Sequence, residues 1–194
     1  MSSFILRRSI LSVAVATLVA APVAAQAPVQ SGQAAAPVMP AVGEPAPDFT
    51  ATATDSTGRA IPMSLSALRG KVVVLAFYPA DRTQGCTAEL TKFRDEYATL
   101  FGDGVVVLPT SIDSIGSHAS WAKDAHFPFA MIADTKSEVA TKYGAQGGAR
   151  PYFRRSVVVI GRDGRVAYAE PRFNALAQDG YDKLAAAIRQ AKGS

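Results

Sequence analysis

The spacing of apolar and polar positions changes several times along this chain, and each change predicts an element. Phe49 to Thr54 is rich in β-favouring residues and runs into Asp55-Ser56-Thr57-Gly58, a turn signal. Ile61 to Leu65 then predicts the partner strand of a hairpin. Lys71 to Tyr78 (KVVVLAFY) is an almost unbroken apolar run, the pattern of a strand covered on both faces. Ala88 to Phe101 places Leu90, Phe93, Tyr97 and Leu100 near one face of a helix. Val105 to Leu108 predicts a second buried strand and Ser114 to Ala125 a second helix. Ala130 to Ala133 is short and strand-like, and a helix over Ser137 to Tyr143 should end at Gly144. Ser156 to Ile160 and Val166 to Glu170 flank Arg162-Asp163-Gly164, a tight hairpin signal. Asp179 to Ala191 predicts a closing amphipathic helix. Alternating strands and helices followed by a hairpin and a helix predict an α/β fold, with a central mixed sheet, flanking helices and an N-terminal β-hairpin.

The pattern fails at the start of the chain, where the residues read as address rather than fold. Met1 to Arg8 carries Arg7 and Arg8 and no acid, and the apolar run Ile10 to Ala21 is too short to span a bilayer. Val23-Ala24-Ala25 presents small or aliphatic residues where a signal peptidase reads. Residues 1–25 are therefore expected to be an export signal cut after Ala25, which points to a bacterial periplasm. Cutting after Ala27 would leave Pro28 next to the cut, a less favourable site. Residues 26–41 carry no charge and are rich in Ala, Pro and Gln, so a disordered linker is expected there and a single domain over 42–194.

Charge changes the picture little. The full chain carries 20 basic and 16 acidic residues, and loss of Arg7 and Arg8 with the signal leaves a net +2. No Lys/Arg block remains to track phosphates, so no nucleic-acid partner is expected. No further segment is apolar enough to cross a membrane, and the signal holds no cysteine for lipid attachment.

Cysteine count is more informative. Cys86 is the only cysteine, which rules out an intrachain disulfide, a CxxC redox pair and a thiolate zinc cluster. No metal or cofactor is expected. Cys86 follows the KVVVLAFY strand and the loop Pro79-Ala80-Asp81-Arg82-Thr83-Gln84-Gly85, at the start of a helix. Sites in open α/β sheets form at the carboxyl ends of strands. A helix start offers free backbone N–H groups and the positive end of the dipole, and both favour a thiolate. The competing reading is a small buried hydrophobe.

These residues resemble a known family. Pro79-x-x-x-Thr83-x-x-Cys86 matches the PxxxTxxC motif of peroxiredoxins, and FYPADRTQGCTAE resembles the active-site block of the bacterioferritin-comigratory-protein type. Val42 to Phe49, Ser66 to Val74, Ser111 to Ser114 with Phe127-Pro128-Phe129, Asp134 and Tyr143-Gly144, and Arg155 to Ile160 with Asp163-Gly164 fit further family segments in order. The resemblance covers residues 42–190. It implies a thioredoxin-like fold and a peroxidase of hydrogen peroxide or small alkyl hydroperoxides. By the same resemblance Cys86 is the nucleophile that becomes a sulfenic acid, and Thr83 hydrogen-bonds the peroxide. Pro79 shapes and shields the loop, Arg155 sits beside the sulfur and the substrate oxygen, and Glu89 orients Arg155.

Each residue also has a plainer reading. Thr83 fits a helix cap, Pro79 a loop, and either Arg154 or Arg155 a surface salt bridge; Arg154 remains an alternative for the contact with Cys86. Asp81 and Arg82 read as solvated loop charges, with a bias on substrate entry as the alternative, and His118 and His126 as structural or surface residues. The glycine-rich stretch Gly144 to Gly148 does not follow a strand and is discounted for phosphate.

Three positions depart from the family. Thr91 stands where relatives often carry a resolving cysteine, so the sulfenic acid must be reduced by an external thiol, a thioredoxin-like protein or a small thiol. Gln84 replaces a usual proline, restoring an N–H and freeing the loop before the nucleophile. Gly161 replaces a frequent Asp. The chain is expected to act as a monomer or homodimer. The rival function is a non-catalytic thioredoxin-fold peroxide sensor relaying oxidation through Cys86. A respiratory-type thiol-disulfide reductase is disfavoured by the missing CxxC.

Overall fold

The computed structural model describes residues 38–55, 57–147 and 151–193, together with Met1. Apart from Met1, the expected export signal lies outside the described residues, as does the linker up to residue 37. The elements are β1 (Thr50–Thr54), β2 (Ala60–Ser64), β3 (Val72–Phe77), α1 (Gln84–Asp95), α2 (Tyr97–Leu100), β4 (Val105–Ser111), α3 (Ile115–Ala125), β5 (Ile132–Ala133), α4 (Glu138–Lys142), β6 (Ser156–Ile160), β7 (Val166–Glu170) and α5 (Gln178–Gly193). A 3₁₀ turn at Ser66–Leu68 precedes β3.

Among the described residues one seven-stranded sheet runs in the order β2-β1-β5-β4-β3-β6-β7. β3 is parallel to β4 and antiparallel to β6, and β4 is parallel to β5. The sheet is mixed and open, with β1 and β2 as its N-terminal hairpin. This is the α/β architecture expected, with the thioredoxin-like core implied by the family resemblance.

Strand alternation explains why β3 is apolar throughout. Val72, Val74, Ala76 and Tyr78 enter one core with Leu90, Phe93, Trp121, Leu184 and Ile188. Val73, Leu75 and Phe77 enter the opposite core with Phe49, Ala53, Ile132, Val139 and Tyr143. A strand with helices on one face and hairpin, loop and helix on the other must present apolar side chains at every position. In α5 the buried residues Tyr181, Leu184, Ala187, Ile188 and Ala191 recur at helical spacing, as amphipathic docking requires.

Two boundaries differ from expectation by three residues or more. The helix read over Ala88 to Phe101 begins earlier, at Gln84, and breaks at Glu96. Its first turn buries only Cys86, so the apolar periodicity there is weak. The break folds Phe101 back onto Phe93, with ring centroids 5.2 Å apart. β4 runs on to Ser111 because Thr110 and Ser111, both buried, pair with Ile132 and Ala133. Their polarity hid them from an apolar reading.

The β6–β7 hairpin turns on Gly164, at φ +76°. A Cβ there would lie 1.4 Å from Arg69 Nη1, which donates to the Asp163 carbonyl at 2.6 Å. Only glycine combines that backbone with that close approach.

Candidate functional site

Sheet register brings distant residues to one end of β3. Phe77 pairs with Ser156 across the β3–β6 ladder, so Arg155 enters β6 beside the point where the chain leaves β3. The chain then forms the loop over residues 79–83 and starts α1. Cys86 lies in the first turn of α1 and is fully buried. The first intrahelical bond runs from Thr87 N–H to the Thr83 carbonyl at 2.8 Å. The amide of Cys86 lies ahead of it, among the free donors of a helix start.

Arg155 Nη2 donates to Cys86 Sγ at 3.3 Å. Its Nη1 donates to Glu89 Oε2, and the side chain of Glu89 is fully buried. Glu89 stands one turn beyond Cys86 on the same face of α1, so one guanidinium bridges both. Among the described residues Glu89 Oε1 has no hydrogen-bond partner. Burial pushes the Glu89 carboxyl up to about 7, against the opposing pull of Arg155. Burial alone would weaken the Arg155 charge, but Glu89 and Cys86 together shift it to a stronger base.

Neighbouring residues on an extended chain point to opposite faces. Arg154 therefore turns away from the sulfur, and its Nη2 donates to the Gly144 carbonyl at 2.5 Å. Of the two arginines left open by the sequence, Arg155 is the one in contact with Cys86. Thr83 occupies the cap position of α1, yet its side chain makes no cap bond. Its Oγ1 instead donates to the Ala80 carbonyl at 3.1 Å, on the exposed side of the loop. The acceptor capacity of that hydroxyl stays available to a ligand. Pro79 lines a cavity of about 440 Å³ together with Phe153, Arg155, Pro171 and Phe173. A cleft of about 530 Å³ between Thr50–Thr52, Ala60–Pro62 and Asp134–Lys136 contains none of the candidate residues and is remote from this chemistry.

The sequence reading of Asp81 needs correction, and of the two readings of His118 the structural one holds. Asp81 is not a solvated loop charge: its side chain is only 4% exposed, and that of His118 is fully buried. The two are paired at 2.9 Å between His118 Nδ1 and Asp81 Oδ2. Arg82 is exposed, but it is tied to α3 through Ser120 at 3.0 Å and Asp124 at 2.6 Å. The available signal was helical spacing, since His118, Trp121 and Ala122 form the buried stripe of α3. His126 closes α3 in the left-handed region at φ +53°, a structural role. Among the described residues no three His, Cys, Asp or Glu side chains gather as metal ligands.

A buried thiol against a guanidinium, at a helix start, beside a hydroxyl with free acceptor capacity can stabilise a thiolate nucleophile and the charge that leaves it. The AhpC/TSA family model matches residues 42–169. The chain is 35% identical over 137 residues to the peroxiredoxin bcp of Coxiella burnetii, covering 68% of this chain and 88% of that protein. It is 36% identical over 129 residues to the chloroplastic peroxiredoxin Q of Oryza sativa subsp. japonica, covering 65% of this chain and 57% of that longer protein. Among solved structures, peroxidoxin BcpB from Mycobacterium tuberculosis superposes with a TM-score of 0.65 at 30% identity, covering 77% of this chain and 96% of that one.

Proposed function

From the premise that the chain belongs to the AhpC/TSA family and is a bcp-type peroxiredoxin, we propose that it is a one-cysteine, thiol-dependent peroxidase of hydrogen peroxide or small alkyl hydroperoxides. The observation that carries the reading is the 3.3 Å contact of Arg155 with Cys86 Sγ in the first turn of α1.

The Cys86 thiolate attacks one oxygen of the peroxide. An S–O bond forms as the O–O bond breaks, and the departing oxygen takes a proton and leaves as water or an alcohol. Arg155 and the free first-turn amides meet negative charge as it moves from sulfur to oxygen. Thr83 Oγ1, already donating to Ala80, accepts a hydrogen bond from the peroxide and so orients it. Pro79 shields the sulfur, and Glu89 holds Arg155 in place.

Sulfur leaves this step as a sulfenic acid. Cys86 is the only cysteine in the sequence, so no resolving thiol comes from the same chain. An external thiol, from a thioredoxin-like protein or a small molecule, displaces water to give a mixed disulfide. A second thiol equivalent then releases Cys86 and leaves with the first as a disulfide. Because Cys86 is fully covered, the first turn of α1 must open before a thiol reaches it.

Localisation belongs to the same proposal. Arg7, Arg8, the apolar run to Ala21 and the small residues before Gln26 support export to the periplasm and cleavage after Ala25. The mature protein works there as a monomer or homodimer. N-terminal sequencing of protein recovered from the periplasm tests the cut.

Steady-state peroxide consumption with excess dithiothreitol tests the activity. The wild type is expected to turn over many times and Cys86→Ser not at all. A wild type that oxidises once and stops would favour the relay function instead.

A further inference from the structure

The loop that carries Pro79 and Thr83 is anchored by a buried polar network that the peroxidase steps leave unused. Asp81 lies between those two residues. Its Oδ1 accepts from the Tyr78 hydroxyl at 2.7 Å, and its Oδ2 accepts from Ser117 Oγ at 2.6 Å. His118 Nδ1 is 3.0 and 2.9 Å from the two oxygens. The Asp81 amide donates to Asp113 Oδ2 at 2.9 Å, and Ser111 Oγ donates to the same oxygen at 2.7 Å. One residue later, Arg82 adopts φ +60° and reaches Ser120 and Asp124. Ser117, Ser120 and Asp124 follow helical spacing, so α3 braces the loop along one face.

Geometry fixes the protons. His118 Nε2 lies 3.1 Å from the Ile132 carbonyl, which can only accept, so that nitrogen carries hydrogen. Nδ1 faces a carboxylate. Burial would raise the Asp81 carboxyl, but hydrogen bonds from His118, Ser117 and Tyr78 outweigh it and hold the group below its ordinary range. Both Asp81 oxygens thus face Nδ1 across 3.0 and 2.9 Å, so ring and carboxyl share a hydrogen bond. The other titratable groups facing the pair are Tyr78 at the end of β3 and Asp113 after β4. Burial, then the charge of Asp81, keep Tyr78 protonated. From β5 the Ile132 carbonyl reaches the ring.

Stability alone does not explain such a pair, since a well-packed apolar replacement of a buried ion pair is often as stable or more so. We propose that the buried Asp81–His118 pair is a positioning element for the peroxidatic cysteine, holding residues 79–83 against α3 so that Thr83 and the first turn of α1 meet the peroxide in one geometry. The inference rests on the peroxidase reading of Cys86. Neither residue touches the reacting atoms; both act through the loop.

The test compares two reactions of the same sulfur. Peroxide oxidation needs an aligned O–O bond, whereas alkylation by iodoacetamide needs only the thiolate and an opened first turn of α1, which loss of the pair does not hinder. In Asp81→Asn and in His118→Gln, single-turnover oxidation of Cys86 by hydrogen peroxide is expected to slow by about 10- to 100-fold, the cost of misplacement on the scale of ~1 Å. Alkylation should keep its rate. The double variant should be no slower than the slower single variant, because the pair acts as a unit. Wild-type peroxide rates in both variants, equal loss in both reactions, or multiplicative losses in the double variant would overturn the proposal.

If the variants do not fold, Ser117→Ala decides, because it removes one donor to Asp81 Oδ2 and leaves the pair in place. Oxidation of Cys86 by peroxide should slow while alkylation does not, and an unchanged oxidation rate would overturn the proposal. Failure of the peroxidase reading looks different, since wild-type Cys86 would then react with peroxide no faster than a free thiol.

Discussion

Replacing Glu89 by Gln keeps the shape of the side chain and an acceptor for Arg155 while removing a proton that responds to pH. The folded protein holds that proton up to about 7, against 4.5 for an ordinary glutamate, because the carboxyl is fully buried. The two values differ by about 2.5, and each unit is worth about 1.4 kcal/mol, so the linkage amounts to about 3 kcal/mol. An unfolded chain releases the proton near 4.5 and the folded chain near 7, so between those values unfolding releases a proton. Raising the pH across that window therefore favours the unfolded chain. The contribution is fully present below 4.5 and lost once the pH passes about 7. Urea denaturation of both proteins from pH 4 to 8 measures it. The difference in unfolding free energy, wild type minus Glu89→Gln, should fall by about 3 kcal/mol as pH rises. Taking the difference removes groups of opposite slope, such as Asp81, whose lowered carboxyl loses stability as pH falls. A flat difference, or one that rises with pH, would refute the reasoning by showing that Arg155 keeps Glu89 ionised throughout.

Other perturbations separate the site from the scaffold. Arg155→Met should slow the first oxidation of Cys86 in stopped flow by about 10²- to 10³-fold, the usual loss for one preorganised donor. Arg154→Met removes only the bond to Gly144 and should lower the melting temperature while sparing that rate; equal rate losses in the two variants would argue against Arg155 as the partner of sulfur. Gly164→Ala forces a side chain into the left-handed region and against Arg69, and should cost about 1–2 kcal/mol in urea denaturation. An unchanged midpoint would show that the hairpin has another conformation available.

The fold was legible where one residue property decides the element. KVVVLAFY could only be a strand covered on both faces, and β3 sends alternate side chains into two separate cores. The position of Cys86 was legible because a strand-to-helix junction is a local pattern. Choosing between Arg154 and Arg155 required the β3–β6 register, which sets the side of the sheet that each arginine faces. The cap reading left open for Thr83 depended on a side-chain rotamer, and that hydroxyl turned to Ala80. Asp81 was misread, and the structural and surface readings of His118 stayed unseparated, for one tertiary reason. The two are 37 residues apart, and both are buried because α3 docks on the loop. A carboxylate in a loop looks solvated until its partner is placed.

The most direct test of the central claim is intact mass of the protein after one equivalent of hydrogen peroxide in the presence of a sulfenic-acid trap, beside Cys86→Ser. A rapid single adduct on the wild type, absent from the variant, is the predicted result. A wild-type Cys86 that stays unmodified, or that reacts no faster than free cysteine, would contradict it.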